Sequence, residues 1–343
     1  MLLSVFSIPS VRAQTQKGPR SGQLDIVCFA SPFSCFNALQ AGMIDMMTWP
    51  LDDNQYEQAI YDSNIILTPL TKTYMMYGVN FNVNKTIDTY RGVDSPLSDE
   101  TFRKALACLV DKDYTIANYF KFKAERIDVP IPVSQSDWWN TSVTYPNYPY
   151  EFNIARAEQL LDSRGFADTD GDGWRNYPLD WKPPQKAGAN LDPIIFYVNS
   201  LDDIRVHMAE NLRDHMEAIG IKTDLRERPA GVLYVPILVD HDYHIYMGSQ
   251  MVNSMPIYLA ILGVFVFMYA SFGNQMTYAN LWEYWSSDYF EGKIGIGDIL
   301  QQVGLSDLYD RLWQSMSYDE IMRYAKLAQG IYTENCFEVQ SAA

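Results

Sequence analysis

The chain has 343 residues, with 26 Lys and Arg against 42 Asp and Glu (net charge −16), 48% apolar and 20% charged residues. That length suits two domains, and the balance supplies ample core and opposes disorder. The acidity excludes a grip on phosphate backbones, whose affinity comes from neutralising phosphates, so nucleic acid is not among the expected partners.

Residues 2–8 are a short apolar run, and Val11-Arg-Ala13 before Gln14 is a small-residue cleavage pattern. Residues 1–13 therefore read as the end of a secretory signal peptide, implying an extracellular or cell-surface protein, periplasmic where two membranes exist. Residues 14–22 (QTQKGPRSG) read as a linker. A strand over 24–29, a helix over 36–41 stopped by Gly42 and a strand over 43–47 suggest a βαβ unit. Ser98-Asp-Glu opens a helix with Phe102, Ala105, Leu106, Leu109 and Val110 on its apolar face. Asn153 caps another, with Ile154, Ala157, Leu160 and Leu161 inward and Gly165 as its stop.

The same grammar returns further on. Residues 194–198 read as a strand, 203–219 as a helix with Ile204, Met208, Leu212, Met216 and Ile219 at helical spacing, and 221–225 as a half-buried strand after Gly220. Two such units imply two α/β lobes. Residues 255–272 hold no charge and are long enough to span a bilayer. They lack flanking Lys or Arg anchors, so a buried helix or strand pair is the preferred reading. Ser317-Tyr-Asp-Glu320 is a capping box before a last helix. The long irregular stretches 127–149 and 178–193 are of the kind that often carry function.

No GxSxG, HExxH or P-loop is present, and Gly295-Ile-Gly297 lacks a third glycine. Of the four histidines (His207, His215, His241, His244), the last two sit three apart in an expected strand and face opposite sides, which is poor zinc geometry. Cys28, Cys35, Cys108 and Cys336 form no CxxC; a Cys28–Cys35 bridge and buried free thiols both stay open. Asp168-Thr-Asp170-Gly-Asp172-Gly173 matches the first half of a calcium loop, with Leu179 where an EF-hand places its bidentate Glu and Asp180 one beyond. Asp168, Asp170 and Asp172 are thus candidate ligands of a structural calcium, and no other cofactor is required. Asn84-Lys-Thr86 and Asn140-Thr-Ser142 are glycosylation sequons.

Several stretches, taken together, resemble the extracellular solute-binding protein family 5, the oligopeptide-, dipeptide- and nickel-binding components of ABC transporters. They are Ala38-Leu-Gln-Ala-Gly-Met-Ile-Asp45, Tyr77-Gly-Val-Asn-Phe-Asn82, the run from Ser98 through Arg103-Lys-Ala-Leu106 to Asp111-Lys-Asp113, the run from Ala155 to Asp172, and Asn211 to Lys222. The resemblance implies an α/β, two-lobed, type II periplasmic-binding-protein fold, truncated at one or both ends relative to family members. It places lobe I at 23–80 plus 244–343 and lobe II at 81–243, with solute between them. It also implies a monomer without enzymatic activity that captures a peptide or other small polar solute and meets an ABC permease. Peptide-binding members often carry an aspartate after the strand matching 245–248; here Ser249 to Pro256 holds no acid, which favours a neutral solute.

Strand ends then give the candidate site: Trp49 after the strand at 43–47, Tyr77, Asn80 and Asn82 on one crossing, and Tyr246, Ser249 and Gln250 on the other. Trp138 and Trp139 lie in the long loop. Aromatic faces stack on sugars or peptides, and Asn and Gln offer paired donors and acceptors. Two other readings stay open: a secreted hydrolase using cleft carboxylates, and a calcium-stapled surface adhesin.

Overall fold

The computed structural model describes residues 23–49, 51–68, 75–82, 86–87, 93–182, 184–240, 242–251, 314–315, 317–336 and 338–342. The segments read as a signal peptide and a linker, the stretch 255–272, Gly295 and Gly297, Asn84 and His241 lie outside these residues. The chain divides into two compact units, Met1–Leu70 and Thr71–Ala343.

In the first unit, α1 (Pro32–Gln40) and α2 (Asp53–Tyr61) both begin with reciprocal caps. Asp52 accepts from the Gln55 N–H at 2.8 Å while Gln55 Oε1 accepts from the Asp52 N–H at 3.1 Å. These bonds satisfy donors that a helix start leaves open. The strands expected at 24–29 and 43–47 do not form. A strand needs a partner for its backbone groups, and neither segment pairs with one among the described residues. Leu24, Ile26, Met43 and Met46 stay exposed there, so no βαβ forms among the described residues of this unit.

The second unit is built on one mixed sheet. Its strands are β1 (Met75–Phe81), β4 (Ile194–Asn199), β5 (Thr223–Arg228), β6 (Ile245–Met251) and β7 (Glu338–Ala342), in the order β5-β4-β6-β1-β7. A small separate pair, β2 (Thr86–Ile87) and β3 (Val93–Asp94), lies outside it. β4 runs parallel to β5 and β6, while β1 runs antiparallel to β6 and β7. The expected β-α-β over 194–225 is real, with a helix at Asp203–Ala218 between β4 and β5, though the second strand starts two residues later than the sequence suggests.

The helices are α3 (Glu100–Ala107), α4 (Lys112–Asn118), α5 (Ile154–Arg164), α6 (Asp203–Ala218), α7 (Ala230–Tyr234) and, last among those described, α8 (Tyr318–Asn335). Asp99, not Ser98, caps α3, its Oδ1 accepting from Thr101 and Phe102 at 2.8 and 3.3 Å. Asn153 caps α5, and Gly165 ends it at φ +92, a left-handed conformation that glycine adopts without strain. Ser317 precedes α8 but makes no side-chain cap bond, so the expected capping box is absent.

One face of the sheet carries the main core. Val79 and Phe81 of β1, Ile245 and Met247 of β6, and Phe196 and Val198 of β4 meet the apolar sides of α3, α5 and α6. Arg103 is fully buried among them, its guanidinium donating to the carbonyls of Leu97 and Ser98 at 2.7 and 3.2 Å. The opposite face carries Ile195, Tyr197, Tyr243 and Tyr246 under Leu233 and Ile237. Residues 75–81, 245–251 and 338–342 share a sheet with 194–199 and 223–228, because antiparallel pairing to β6 fixes β1 beside β4's partner.

Candidate functional site

Register decides what the crossing strands present. β1 pairs with β6 so that Tyr77 opposes Ser249, Met76 opposes Gln250 and Asn80 opposes Tyr246. Side chains alternate between faces along a strand. Tyr77 and Ser249 therefore share the face of the main core, while Asn80 and Tyr246 share the other. Five of the seven expected site residues are thus brought onto one strand pair, with Asn82 immediately after β1. Trp49 is not: it lies in the first unit, 57% exposed and outside regular structure.

The candidates also separate along the strands. β4, β5 and β6 run parallel, so their carboxyl ends lie together, beside the start of β1 at Met75 and of α6 at Asp203. Crevices at the carboxyl ends of strands are where open α/β sheets take ligands. Tyr77, Ser249 and Gln250 belong to this end. Tyr77 meets Phe120 edge-on with ring centroids 5.0 Å apart. Burial, helped by the charge of Asp202 and opposed by Arg205, pushes its hydroxyl up to about 12, so it stays a neutral donor and acceptor. Asp202 caps α6 through the Arg205 N–H at 3.0 Å and takes the Arg205 Nε at 2.9 Å. This end of the sheet thus gathers a neutral phenol, an aromatic ring, a serine and an internally neutralised ion pair.

Asn80 and Asn82 do another job. The Asn82 amide donates to the Tyr243 carbonyl at 2.9 Å and that of Asn80 to the Tyr246 carbonyl at 3.4 Å. Asn80 lies over Gly248, where a Cβ would come within 2.4 Å of its Nδ2. These amides tie the crossing strands together. Tyr246 packs against the second-face cluster.

The loop tryptophans are structural. Trp138 is buried against Tyr318 at 5.2 Å, and Trp139 Nε1 donates to the Ile131 carbonyl at 3.0 Å. At the Asn140 sequon the side-chain amide donates to the Lys326 carbonyl at 2.8 Å. His244 is buried and its Nδ1 accepts from the Ile195 N–H at 2.9 Å.

The acidic turn converges as the spacing suggests. Asp168, Asp170 and Asp172 are exposed and each offers an oxygen within 4.8 Å of the others. Asp168 accepts from the N–H groups of Gly171 and Gly173 at 2.7 and 2.9 Å. Desolvation works against its ionisation, but these bonds hold the carboxyl below the usual range. Asp172 accepts from Trp174 and from the Asn190 amide at 2.8 and 2.7 Å. Asp180 is drawn away to Arg164 at 2.9 Å.

Sequence reasoning missed the ionic centre of the unit. Lys112 and Asp128 are sealed together, Nζ to Oδ1 2.6 Å, with Arg126 joining Asp128 to Glu151. Asp111-Lys-Asp113 is visible as a motif, but its partners lie in a loop with no periodicity to announce them.

The sheet and its helices have a type II periplasmic-binding-protein fold, as solved structures show. The oligopeptide-binding protein AppA of Bacillus subtilis, solved with a nonapeptide, superposes with a TM-score of 0.64 at 15% identity, over 92% of this chain and 53% of that one. NikZ of Campylobacter jejuni, solved with Ni(L-His), gives 0.63 at 17% identity over 92% and 53%. A periplasmic oligopeptide-binding protein of Thermotoga maritima, solved with mannohexaose, gives 0.60 at 16% over 91% and 52%. The chain thus spans about half the length of each structure. Comparison with curated proteins gives no match. Residues 15–261 match the bacterial extracellular solute-binding proteins, family 5 (middle), and the chain belongs to that family.

Proposed function

We propose that this chain is the solute-binding component of an ABC importer, without enzymatic activity, and works as an extracellular or periplasmic protein. The observation that carries the reading is the β1–β6 register, which sets Tyr77 opposite Ser249 at the carboxyl ends of β4 and β6. Tyr77, Ser249 and Gln250 contact solute, and Asn80, Asn82 and Tyr246 hold the strands that present them. The solute is a peptide or another small polar molecule. A neutral one is favoured, because residues 249–256 hold no acid to meet a ligand amine. Among described residues, no helix is long and apolar enough to cross a membrane.

The test is thermal unfolding against short peptides, neutral oligosaccharides and Ni(L-His), with native mass spectrometry of gently purified protein. Stabilisation by one class, saturating with concentration, supports the reading. No shift with any class, together with a clean apo mass, overturns it. A calcium ion at Asp168, Asp170 and Asp172 belongs to the same proposal, as a clip on the 168–176 turn. Calcium should raise the melting temperature, a chelator should reverse the rise, and Asp170→Asn should abolish it.

A further inference from the structure

A strained turn follows α4, and the rings it carries reach the candidate site. Tyr119 and Phe120 close the helix end, each N–H donating to the Thr115 carbonyl, at 3.0 and 3.2 Å. The Phe122 N–H then donates to the Ile116 carbonyl at 3.0 Å, and the Lys123 N–H to the Phe120 carbonyl at 2.9 Å. Across these bonds Lys121 and Phe122 stand at φ +50 and +61, two successive left-handed residues, neither of them glycine. Strain of this kind persists only where the surroundings hold it, and it gathers at ligand-binding positions. Burial of Phe122 does not account for it, since that ring is 78% exposed. The turn instead sends the two preceding rings to different elements. Tyr119 stacks on His207 of α6, with centroids 5.3 Å apart and planes at 24°. Phe120 goes to β1 and meets Tyr77, with centroids 5.0 Å apart and planes at 70°. Both Phe120 and Tyr77 are partly buried, packed on the edge of the main core.

We propose that Phe120 contacts solute and sets its specificity, the corner between its ring and that of Tyr77 taking a compact apolar group of a neutral ligand. The inference rests on the proposed function and adds to it the chemistry of one subsite. Two rings set at 70° leave a wedge with apolar walls on two sides. A branched aliphatic side chain fills such a wedge, whereas the broad face of a sugar ring packs on a single open aromatic face. Ser249, opposite Tyr77, is polar and uncharged, so an amide of the same solute finds a hydrogen-bond partner while the apolar group turns into the corner. The nearby charges at the start of α6 are spent on each other, Arg205 Nε lying 2.9 Å from Asp202 Oδ2. Shape and apolar contact at Phe120, rather than charge, then discriminate among solutes.

The experiment uses the whole chain and calorimetry. The probes are two blocked, uncharged peptides, acetyl-Ala-Ala-Leu-Ala-Ala-amide and acetyl-Ala-Ala-Ser-Ala-Ala-amide, with cellotriose as the flat-ring alternative. The native chain should bind the leucine peptide about tenfold more tightly than the serine peptide, the discrimination an apolar pocket gives over one small side chain. Phe120→Ala should cut that ratio to about threefold or less, and Phe120→Tyr should keep most of it. The ratio separates recognition from folding, because a merely destabilised chain loses both peptides alike. A second arm needs no variant: with photoleucine in place of leucine, irradiation should label the native chain at Phe120 or Tyr77. An unchanged ratio in Phe120→Ala, labelling only elsewhere, or tighter binding of cellotriose than of either peptide overturns this proposal and leaves solute capture standing. A native chain that binds none of the three probes also overturns it, and the proposed function falls with it only if the purified protein carries no co-purified solute.

Discussion

Replacing Asp128 by Asn removes the counter-charge of a sealed lysine. Lys112 Nζ sits 2.6 Å from Asp128 Oδ1, and both side chains are 3% exposed. Its other neighbours are the Ile127 carbonyl at 3.2 Å and the face of Tyr148, 3.7 Å from the centroid. Burial outweighs Asp128's pull and lowers Lys112 to about 8. Asp128 is held below the usual carboxylate range: burial opposes its ionisation, but Lys112 and Arg126 together win. Breaking a buried pair by removing one partner costs about 3–5 kcal/mol, because the remaining charge stays desolvated and uncompensated. In Asp128→Asn the lysine loses its largest source of support and deprotonates at still lower pH.

The sign with pH follows from the same shift. Lys112 releases its proton near pH 8 when folded and near its ordinary 10.5 when unfolded. The unfolded chain therefore holds more protons across that window, and stability rises with pH there. The variant's window opens earlier, so its shortfall against the native chain shrinks as pH rises from below neutrality through the native Lys112 value of about 8, and above that the two chains gain stability in parallel. Urea unfolding at about pH 7 and pH 9.5, followed by the fluorescence of the buried Trp138 and Trp181, measures both quantities. A loss under about 1 kcal/mol at neutrality, or a shortfall that grows with pH, would refute the reasoning.

Three further outcomes are expected. Gly248→Ala drives a Cβ to 2.4 Å from Asn80 Nδ2, and a drop in urea midpoint equivalent to about 1–3 kcal/mol should follow; adding Asn80→Ala should restore part of it. Gly220→Ala forces an L side chain to φ +83 with its Cβ 2.9 Å from the Gly173 carbonyl oxygen, so the melting curve should shift down by more than about 1 kcal/mol. Tyr77→Ala should weaken solute binding about tenfold by calorimetry, near 1.4 kcal/mol, with Tyr77→Phe keeping most of the affinity if the ring contact carries it.

The second unit was largely legible in the sequence. The pattern over 194–225 and the caps at Asn153 and Gly165 are local signals, and local bonds enforce them. The segments at 24–29 and 43–47 are short apolar runs that fail as strands, because a strand is completed by its neighbour and not by its own residues. Tyr77 and Ser249 could be suspected singly. Their pairing could not, since it depends on a register between strands 164 or more residues apart, of which the alternating residues give no count. Asn80 and Asn82 show the limit from the other side: amides that suit a ligand turn out to bond main-chain carbonyls. The Lys112–Asp128 pair was hidden for the same reason as the register, with its partners brought together only by the closed core.

The sheet order sets a timetable. β1 is among the first elements of the second unit to be made, yet both of its neighbours, β6 and β7, come from far later in the chain. Until residue 251 exists, β1 has no strand to pair with, and until 342 exists one of its edges stays open. An unpaired apolar edge recruits other chains. Pairings this distant in sequence also form slowly, because a long loop must close before any contact repays it. During synthesis this unit therefore depends on something that shields β1 or on delayed collapse. Any gene that ends before β7 should yield aggregates rather than a smaller working domain.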